Sequence, residues 1–168
     1  MITTRQFSSA IHEECRIVVH IAGKVSLAGM DYRPSGSQRS TIELLRYLTT
    51  CAIVPATFAV TSEWSHRAPL EAQSSKLRPA DIPAAMQDQA TRLDELIRPF
   101  SDQEWYERSA PLPWGVATTL GDALVLTALR GLVAYRMQLF LYAKASGATS
   151  LNTMECWLGM DSPGPARP

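Results

Sequence analysis

Hydrophobic residues recur at every third or fourth position in four long segments of the chain, which is the spacing of amphipathic helices. The first predicted helix runs from about Thr4 to Leu27, and the second begins near Ser37. Pro55 falls inside the second helix, where it deletes one backbone hydrogen bond and is expected to kink the helix. The apolar stripes of these two helices are Phe7, Ile11, Val18, Ile21 and Val25, and Ile42, Leu45, Leu48, Ala52 and Phe58.

Two further long helices are predicted in the second half of the chain. Asp81 is the expected N-cap of the third helix. The fourth runs from about Leu120 to Ser146, with Thr119 before it as a cap and Gly147 after it as the C-terminal cap. Few charges interrupt this fourth segment, so we expect it to lie at the centre of a bundle. The inward positions of the third helix are Met86, Ala90, Leu93, Ile97 and Phe100.

Shorter elements are expected in the connections. Capping-box sequences at Ser101 and Asn152 predict one short helix that carries Trp105 and another near the C-terminus. Residues 63–80 and 109–117 lack a period and are predicted to be connecting loops, the first with room for a turn of helix. The pattern predicts an all-α four-helix bundle with short extra helices in the connections and at the C-terminus. One domain spans residues 1–160, and residues 161–168 form a flexible tail.

Charge and composition exclude several classes of protein. The chain has 168 residues, with 16 Lys and Arg against 16 Asp and Glu, and these charges are interspersed. No basic patch is available for phosphates, so we expect no nucleic-acid partner. The longest charge-free run, residues 47–62, is shorter than the ~20 apolar residues of a membrane-spanning helix, so we expect no membrane partner. The polar N-terminus and the three unpaired cysteines favour the cytoplasm, with the cysteines buried in the core.

Familiar catalytic and metal-binding motifs are not present in the sequence. The three histidines, His12, His20 and His66, do not pair at helical spacing, and His12-Glu13-Glu14 does not present its side chains on one helix face. The residues therefore predict no metal and no cofactor, and they leave open whether the protein is an enzyme.

Two arginine features have simple interpretations. Arg136, in the apolar fourth helix, needs an acidic partner, for which Glu43 is a candidate. Arg33 and Arg39 flank the start of the second helix, where they either bind an anion or lie on the solvated surface.

Several short segments, in order and spacing, resemble one known family. They are residues 31–34 (DYRP), 38–40 (QRS) and 43–48 (ELLRYL), and later 135–139 (YRMQL) and 144–147 (KASG). Together they resemble the DinB/YfiT-like four-helix proteins, whose last-helix motif is commonly written H-R-G-Q-L. The resemblance extends over about residues 5 to 147, and it implies a DinB-like bundle.

The resemblance also implies where a metal would lie. In metal-binding members, one histidine of the second helix and two histidines four apart in the last helix hold a divalent cation. The corresponding positions here are Tyr47, Gly131 and Tyr135, so this chain resembles a member that lacks the histidine triad. The resemblance therefore gives little support to metal-dependent activities such as thiol transfer.

Three hypotheses remain open. The site is a metal-free pocket lined by Tyr47, Gly131, Tyr135 and Gln138 that binds a small molecule, or the tyrosines fill it. Alternatively, the protein is a homodimeric interaction or structural protein, with a partner surface marked by some of its four tryptophans. The third hypothesis is a divergent hydrolase or thiol transferase that recruits another metal set, such as His20 with an acidic neighbour.

Overall fold

The computed structural model describes residues 2–161, which form a four-helix bundle as the sequence pattern predicts. The long elements are α1 (Thr4–Ala22), α2 (Thr41–Leu48) followed by α3 (Ile53–Thr61), α5 (Ile82–Ile97) and α8 (Arg130–Ala145). The helix α1 packs against α5 and α8, and α2 packs against α8. The shorter elements are α4 (Arg67–Ser74), α6 (Asp102–Glu107), α7 (Leu120–Leu124), α9 (Thr153–Leu158), β1 (Ser109–Pro111) and β2 (Ala117–Thr119).

The first helix ends five residues before its predicted end. It starts with a capping box between Thr3 and Gln6 and stops at Gly23. A 3-10 turn at Ala28–Asp31 then redirects the chain. Gly29 in this turn approaches α8 so closely that a Cβ atom would lie 2.9 Å from the Ser146 hydroxyl oxygen. A side chain at this position would therefore force Ser146 and Val25 to move.

The predicted second helix is broken rather than kinked. It begins at Thr41, after a capping box between Ser40 and Glu43, and stops at Leu48 before restarting at Ile53. Pro55 is the third residue of α3, where the missing N–H has no partner inside the helix in any case. The prediction of one continuous helix through Pro55 was wrong because the chain restarts just before the proline.

The last long helix has its predicted ends. The Thr119 hydroxyl accepts from the Asp122 amide at 3.3 Å, and Gly147 has a φ of +120°, a left-handed conformation that favours glycine at a helix C-terminus. A five-residue π-helical turn at Val125–Leu129 joins α7 to α8 without ending the helix.

Three connecting segments differ from their predictions. Residues 109–119 form a short antiparallel hairpin instead of a loop, because Gly115 adopts a φ of +86° and Leu112 bonds to the Val116 carbonyl at 2.7 Å. Residues 67–74 form the helix α4. Asp81 does not cap α5 with its side chain, because its carboxylate accepts from the Arg78 backbone and guanidinium instead.

The core contains all three cysteines, as predicted. Trp105 is the one fully buried tryptophan, and its indole N–H donates to the Ile2 carbonyl at 2.9 Å. Trp64, Trp114 and Trp157 are exposed. Two stretches, Thr41–Thr61 and Leu120–Ala145, are long and apolar enough to cross a membrane, a property they share with core helices of globular proteins. Of the predicted tail, residues 162–168 lie outside the described residues.

Candidate functional site

Tyr47 of α2 and Tyr135 of α8 lie in contact where the resemblance places two metal ligands. Their ring centroids are 4.7 Å apart and the ring planes meet at 76°. Such edge-to-face pairs contribute about 0.5–1.5 kcal/mol beyond the burial of area. Burial raises the pKa of the Tyr47 hydroxyl, and its hydrogen bond with Tyr135 raises this pKa further. Near neutral pH the Tyr47 phenol is therefore uncharged.

The third triad position, Gly131, lies beside the Cys51 carbonyl, and the fourth candidate residue, Gln138, bonds to Tyr142. A Cβ atom on Gly131 would lie 3.6 Å from the Cys51 carbonyl oxygen, which is an ordinary contact. We call Tyr47, Gly131 and Tyr135 the tyrosine seam. The Gln138 side-chain amide donates to the Tyr142 hydroxyl at 2.6 Å. The structure thus brings Tyr47 and Tyr135 together, places Gly131 beside the Cys51 carbonyl, and pairs Gln138 with Tyr142.

The residues of the tyrosine seam do not fit a divalent metal ion. Gly131 has no side chain, and neutral phenols are poor ligands for zinc or nickel compared with imidazole, thiolate or carboxylate. Among residues 2–161, no group of three or more His, Cys, Asp or Glu side chains is placed to hold a metal ion.

The histidines make separate local contacts instead of a shared site. His12 bonds to Asp94 at 2.7 Å, and His66 bonds to the Val54 carbonyl at 2.9 Å. His20 lies 3.6 Å from Asp161, its one acidic neighbour among the described ion pairs. These contacts link helices and loops of the bundle.

Arg136 has an acidic partner, but it is not Glu43. Its guanidinium donates to Glu14 of α1 at 2.6 Å and also to the Cys156 carbonyl in α9. Glu43 pairs with Arg33 at 3.0 Å instead. Sequence spacing could not select between these acids because both precede Arg136 by many residues.

Gln89 of α5 occupies the break between α2 and α3. Its side-chain N–H donates to the Leu48 carbonyl at 2.9 Å, and its side-chain oxygen accepts from the amides of Ala52 and Ile53 at 3.0 and 3.3 Å. The side chain is 1 % exposed. One amide therefore satisfies backbone groups that the break would leave unpaired in the core.

A cavity of about 330 Å³ lies beside this break, between α4 and α5. We call it the Gln89 pocket. Its apolar wall comprises Ile53, Leu70, Leu77, Ala84 and Ala85, and its buried polar wall comprises Thr49, Thr50, Ser74 and Gln89. The rest of the lining is polar or charged: Gln73, Asp81, Asp88 and Arg92, with both aspartates paired to arginines. The volume and the mixed lining are typical of sites for small organic molecules. Sequence reasoning missed this pocket, although one signal was available: Gln89 is a polar residue in line with the inward stripe of the third predicted helix.

A second, more open groove adjoins the Gln89 pocket, because Thr50 and Ser74 line both. We call it the arginine groove. Its basic residues are Arg39, Arg46 and Arg67, and Tyr47 forms part of its floor. The Arg39 guanidinium lies 4.1 Å from the centroid of the Tyr47 ring, a cation–π contact. Tyr47 thus belongs both to the tyrosine seam and to the arginine groove.

Comparison with known proteins identifies the fold. No protein-family model and no curated protein sequence matches the chain. Among solved structures, a DinB-like protein from Bacillus subtilis is similar to it, with a TM-score of 0.64 and 18 % sequence identity. The similarity covers 88 % of this chain and 96 % of that protein. The chain therefore has the fold of a DinB-like four-helix bundle.

Proposed function

We propose that this DinB-like bundle binds a small organic molecule without a metal ion, and that the ligand occupies the Gln89 pocket. The observation that carries the proposal is the 330 Å³ cavity, which has one apolar wall and one buried polar wall. Pockets of roughly this size hold small ligands through apolar contact, and a few polar groups fix their orientation.

The tyrosine seam is the less suitable place for a ligand. The ring of Tyr47 already contacts the ring of Tyr135 at 4.7 Å, so a guest molecule between them would have to separate an aromatic pair. We propose that the two tyrosines fill the position of the family's metal centre by packing against each other. The ligand then binds in the Gln89 pocket and not between the tyrosines.

The polar wall favours a ligand that donates hydrogen bonds. Thr49, Thr50 and Ser74 each donate to a backbone carbonyl, those of Arg46, Tyr47 and Glu71. Each hydroxyl oxygen keeps a lone pair that can accept from the ligand. A hydroxyl or amine group on an apolar body matches this wall.

Fluorescence of N-phenyl-1-naphthylamine, a neutral aromatic amine, tests the proposal. Ala85→Phe places a ring in the pocket, whereas Thr91→Phe adds the same ring to an exposed position of α5. We expect Ala85→Phe to weaken probe binding at least about tenfold by filling the site, while Thr91→Phe binds like the natural protein. Both variants must keep a cooperative thermal transition. Equal binding by the natural protein and Ala85→Phe would contradict the proposal.

Self-association is a second candidate function, favoured by the outer face of α8. Val133, Met137 and Leu141 lie one turn apart on this face and are 39 %, 37 % and 56 % exposed. Between Arg130 and Lys144 the only charged residue of α8 is Arg136, which is buried. A charge-free apolar stripe of this length suits a second copy of the same surface.

Light scattering at high micromolar concentration tests self-association. We expect a dimer that Met137→Glu converts to a monomer, because the substitution places a charge in the stripe. Leu27→Glu, at an exposed apolar position away from α8, is the matched control and leaves the dimer intact. A monomeric natural protein counts against this function.

A further inference from the structure

The arginine groove contains more positive charge than its own carboxylates neutralise. Arg67 pairs with Glu71 at 2.8 Å, and Glu43, the other acid of the groove, pairs with Arg33 at 3.0 Å. Within residues 2–161, neither Arg39 nor Arg46 has a carboxylate within salt-bridge distance. Two guanidinium groups therefore face the groove without an ionic partner.

Both guanidinium groups are nevertheless held in place. Arg46 donates its Nε–H to the Leu77 carbonyl at 2.9 Å, which leaves the N–H groups of its two terminal nitrogens for another acceptor. Arg39 stacks on the Tyr47 ring. Anchoring lowers the conformational entropy that an arginine loses when it binds an anion. The pair is thus suited to an external carboxylate, sulfonate or phosphate group.

The arginine groove adjoins the Gln89 pocket, because Thr50 and Ser74 line both. A molecule that passes these two residues would place its apolar part in the Gln89 pocket and its charged part in the more open groove. We infer that the ligand is an amphipathic organic anion, with an aromatic or aliphatic body in the Gln89 pocket and its anionic group on Arg39 and Arg46. This inference rests on the proposed function and specifies its ligand.

A matched pair of probes separates the two proposals. 1-Anilinonaphthalene-8-sulfonate differs from N-phenyl-1-naphthylamine by one sulfonate group. For each probe, only the fluorescence that the Ala85→Phe substitution abolishes is counted as binding in the Gln89 pocket. We expect the sulfonate to bind the natural protein about three- to fivefold more tightly than the neutral amine, the upper range of exposed ion pairs. Added salt should remove this difference, because it screens charges at a surface.

Arg39→Gln is the decisive variant, since its guanidinium makes a cation–π contact and no hydrogen bond within the described residues. We expect it to weaken the sulfonate about threefold or more and to leave the neutral amine unchanged. Arg130→Gln removes the same charge from an exposed position at the start of α8 and should change neither affinity. Arg46→Lys, which keeps the charge, gives a second measurement if Arg39→Gln alters the thermal transition.

The outcomes are distinct. Equal affinity for both probes, or an unchanged sulfonate affinity in Arg39→Gln, overturns the inference and leaves the small-molecule function standing. Fluorescence of both probes that is insensitive to Ala85→Phe overturns the proposed function itself.

Discussion

The guanidinium of Arg136 and the carboxylate of Glu14 form an ion pair of 2.6 Å between α8 and α1, with their side chains 4 % and 14 % exposed. Removing one member of a buried pair leaves the other charge without compensation, which costs about 3–5 kcal/mol. We therefore expect Arg136→Met to lower the free energy of unfolding by about this amount in urea titrations.

The double variant Arg136→Met with Glu14→Met distinguishes pairing from packing. Because it buries no lone charge, it should be more stable than Arg136→Met. Arg67→Met, which breaks the exposed pair with Glu71, should cost under about 1 kcal/mol. A loss under about 1 kcal/mol for Arg136→Met would contradict the assignment of Arg136 and Glu14 as a buried ion pair.

Gln89→Met tests the break between α2 and α3. Methionine has a similar shape but cannot bond to the Leu48 carbonyl or to the amides of Ala52 and Ile53. Each buried backbone group left unpaired costs about 1–3 kcal/mol. Three groups lose their partner, so we expect a total loss of at least about 3 kcal/mol in thermal or urea unfolding. Gln87→Met, on the exposed side of the same helix, is the control and should change stability by under about 0.5 kcal/mol.

Restoring histidines at Tyr47, Gly131 and Tyr135 tests whether the DinB-like scaffold still has the geometry of a metal site. Gly131 has room for a Cβ atom, since its nearest neighbour would be at 3.6 Å. We expect the triple variant to bind one Ni²⁺ or Zn²⁺ per chain in calorimetry. The double variant that keeps Gly131 should bind more weakly because it lacks one ligand. Failure of a folded triple variant to bind either metal would contradict the residue correspondence.

Asp94 gives a test of pH dependence. Partial burial raises the pKa of this carboxyl, but hydrogen bonds from Ser8 and His12 outweigh burial, so the pKa lies below its ordinary value. A lowered pKa means that the folded state favours the ionised form. The stabilisation is therefore present above the unfolded pKa of about 3.9 and is lost as the pH falls through the folded pKa.

Stability measured from pH 6 to pH 2 should show this effect. Asp94→Asn is expected to be less stable at pH 6 by under about 1 kcal/mol, since the site is partly exposed. The difference should shrink towards zero in acid. Glu95→Gln, on the exposed neighbouring residue, controls for the change in net charge. If the difference in stability between Asp94→Asn and the natural protein grew as the pH fell, the result would contradict this prediction.

Periodicity predicted the bundle because its signal is repeated over many turns of each helix. The ends of the fourth predicted helix were also accessible, since Thr119 and Gly147 act through the backbone beside them. Local chemistry of this kind can be recognised in the sequence without knowing the tertiary structure.

The break at residues 49–52 could not be predicted in the same way. Pro55 shows that one hydrogen bond is missing, but it does not show whether the helix bends or stops. The outcome depends on Gln89 of α5. Its side chain bonds to the backbone groups at the break, so the helix can end there without leaving them unpaired. The pocket depends in turn on this break, so its residues were missed. Two residues of the groove, Arg39 and Tyr47, were already candidates in the sequence, one beside the start of the second helix and the other at a position that the resemblance marks. The structure brings Tyr47 into contact with Tyr135.

Gln89 belongs both to the wall of the pocket and to the junction between α2 and α3. The amide protons of Ala52 and Ile53 are held by this side chain, so their exchange with solvent reports on the position of Gln89. A ligand that immobilises Gln89 should slow this exchange, although the two backbone amides point at Gln89 and not at the ligand. The junction thereby converts occupancy of the pocket into a change in backbone dynamics at the middle of the bundle.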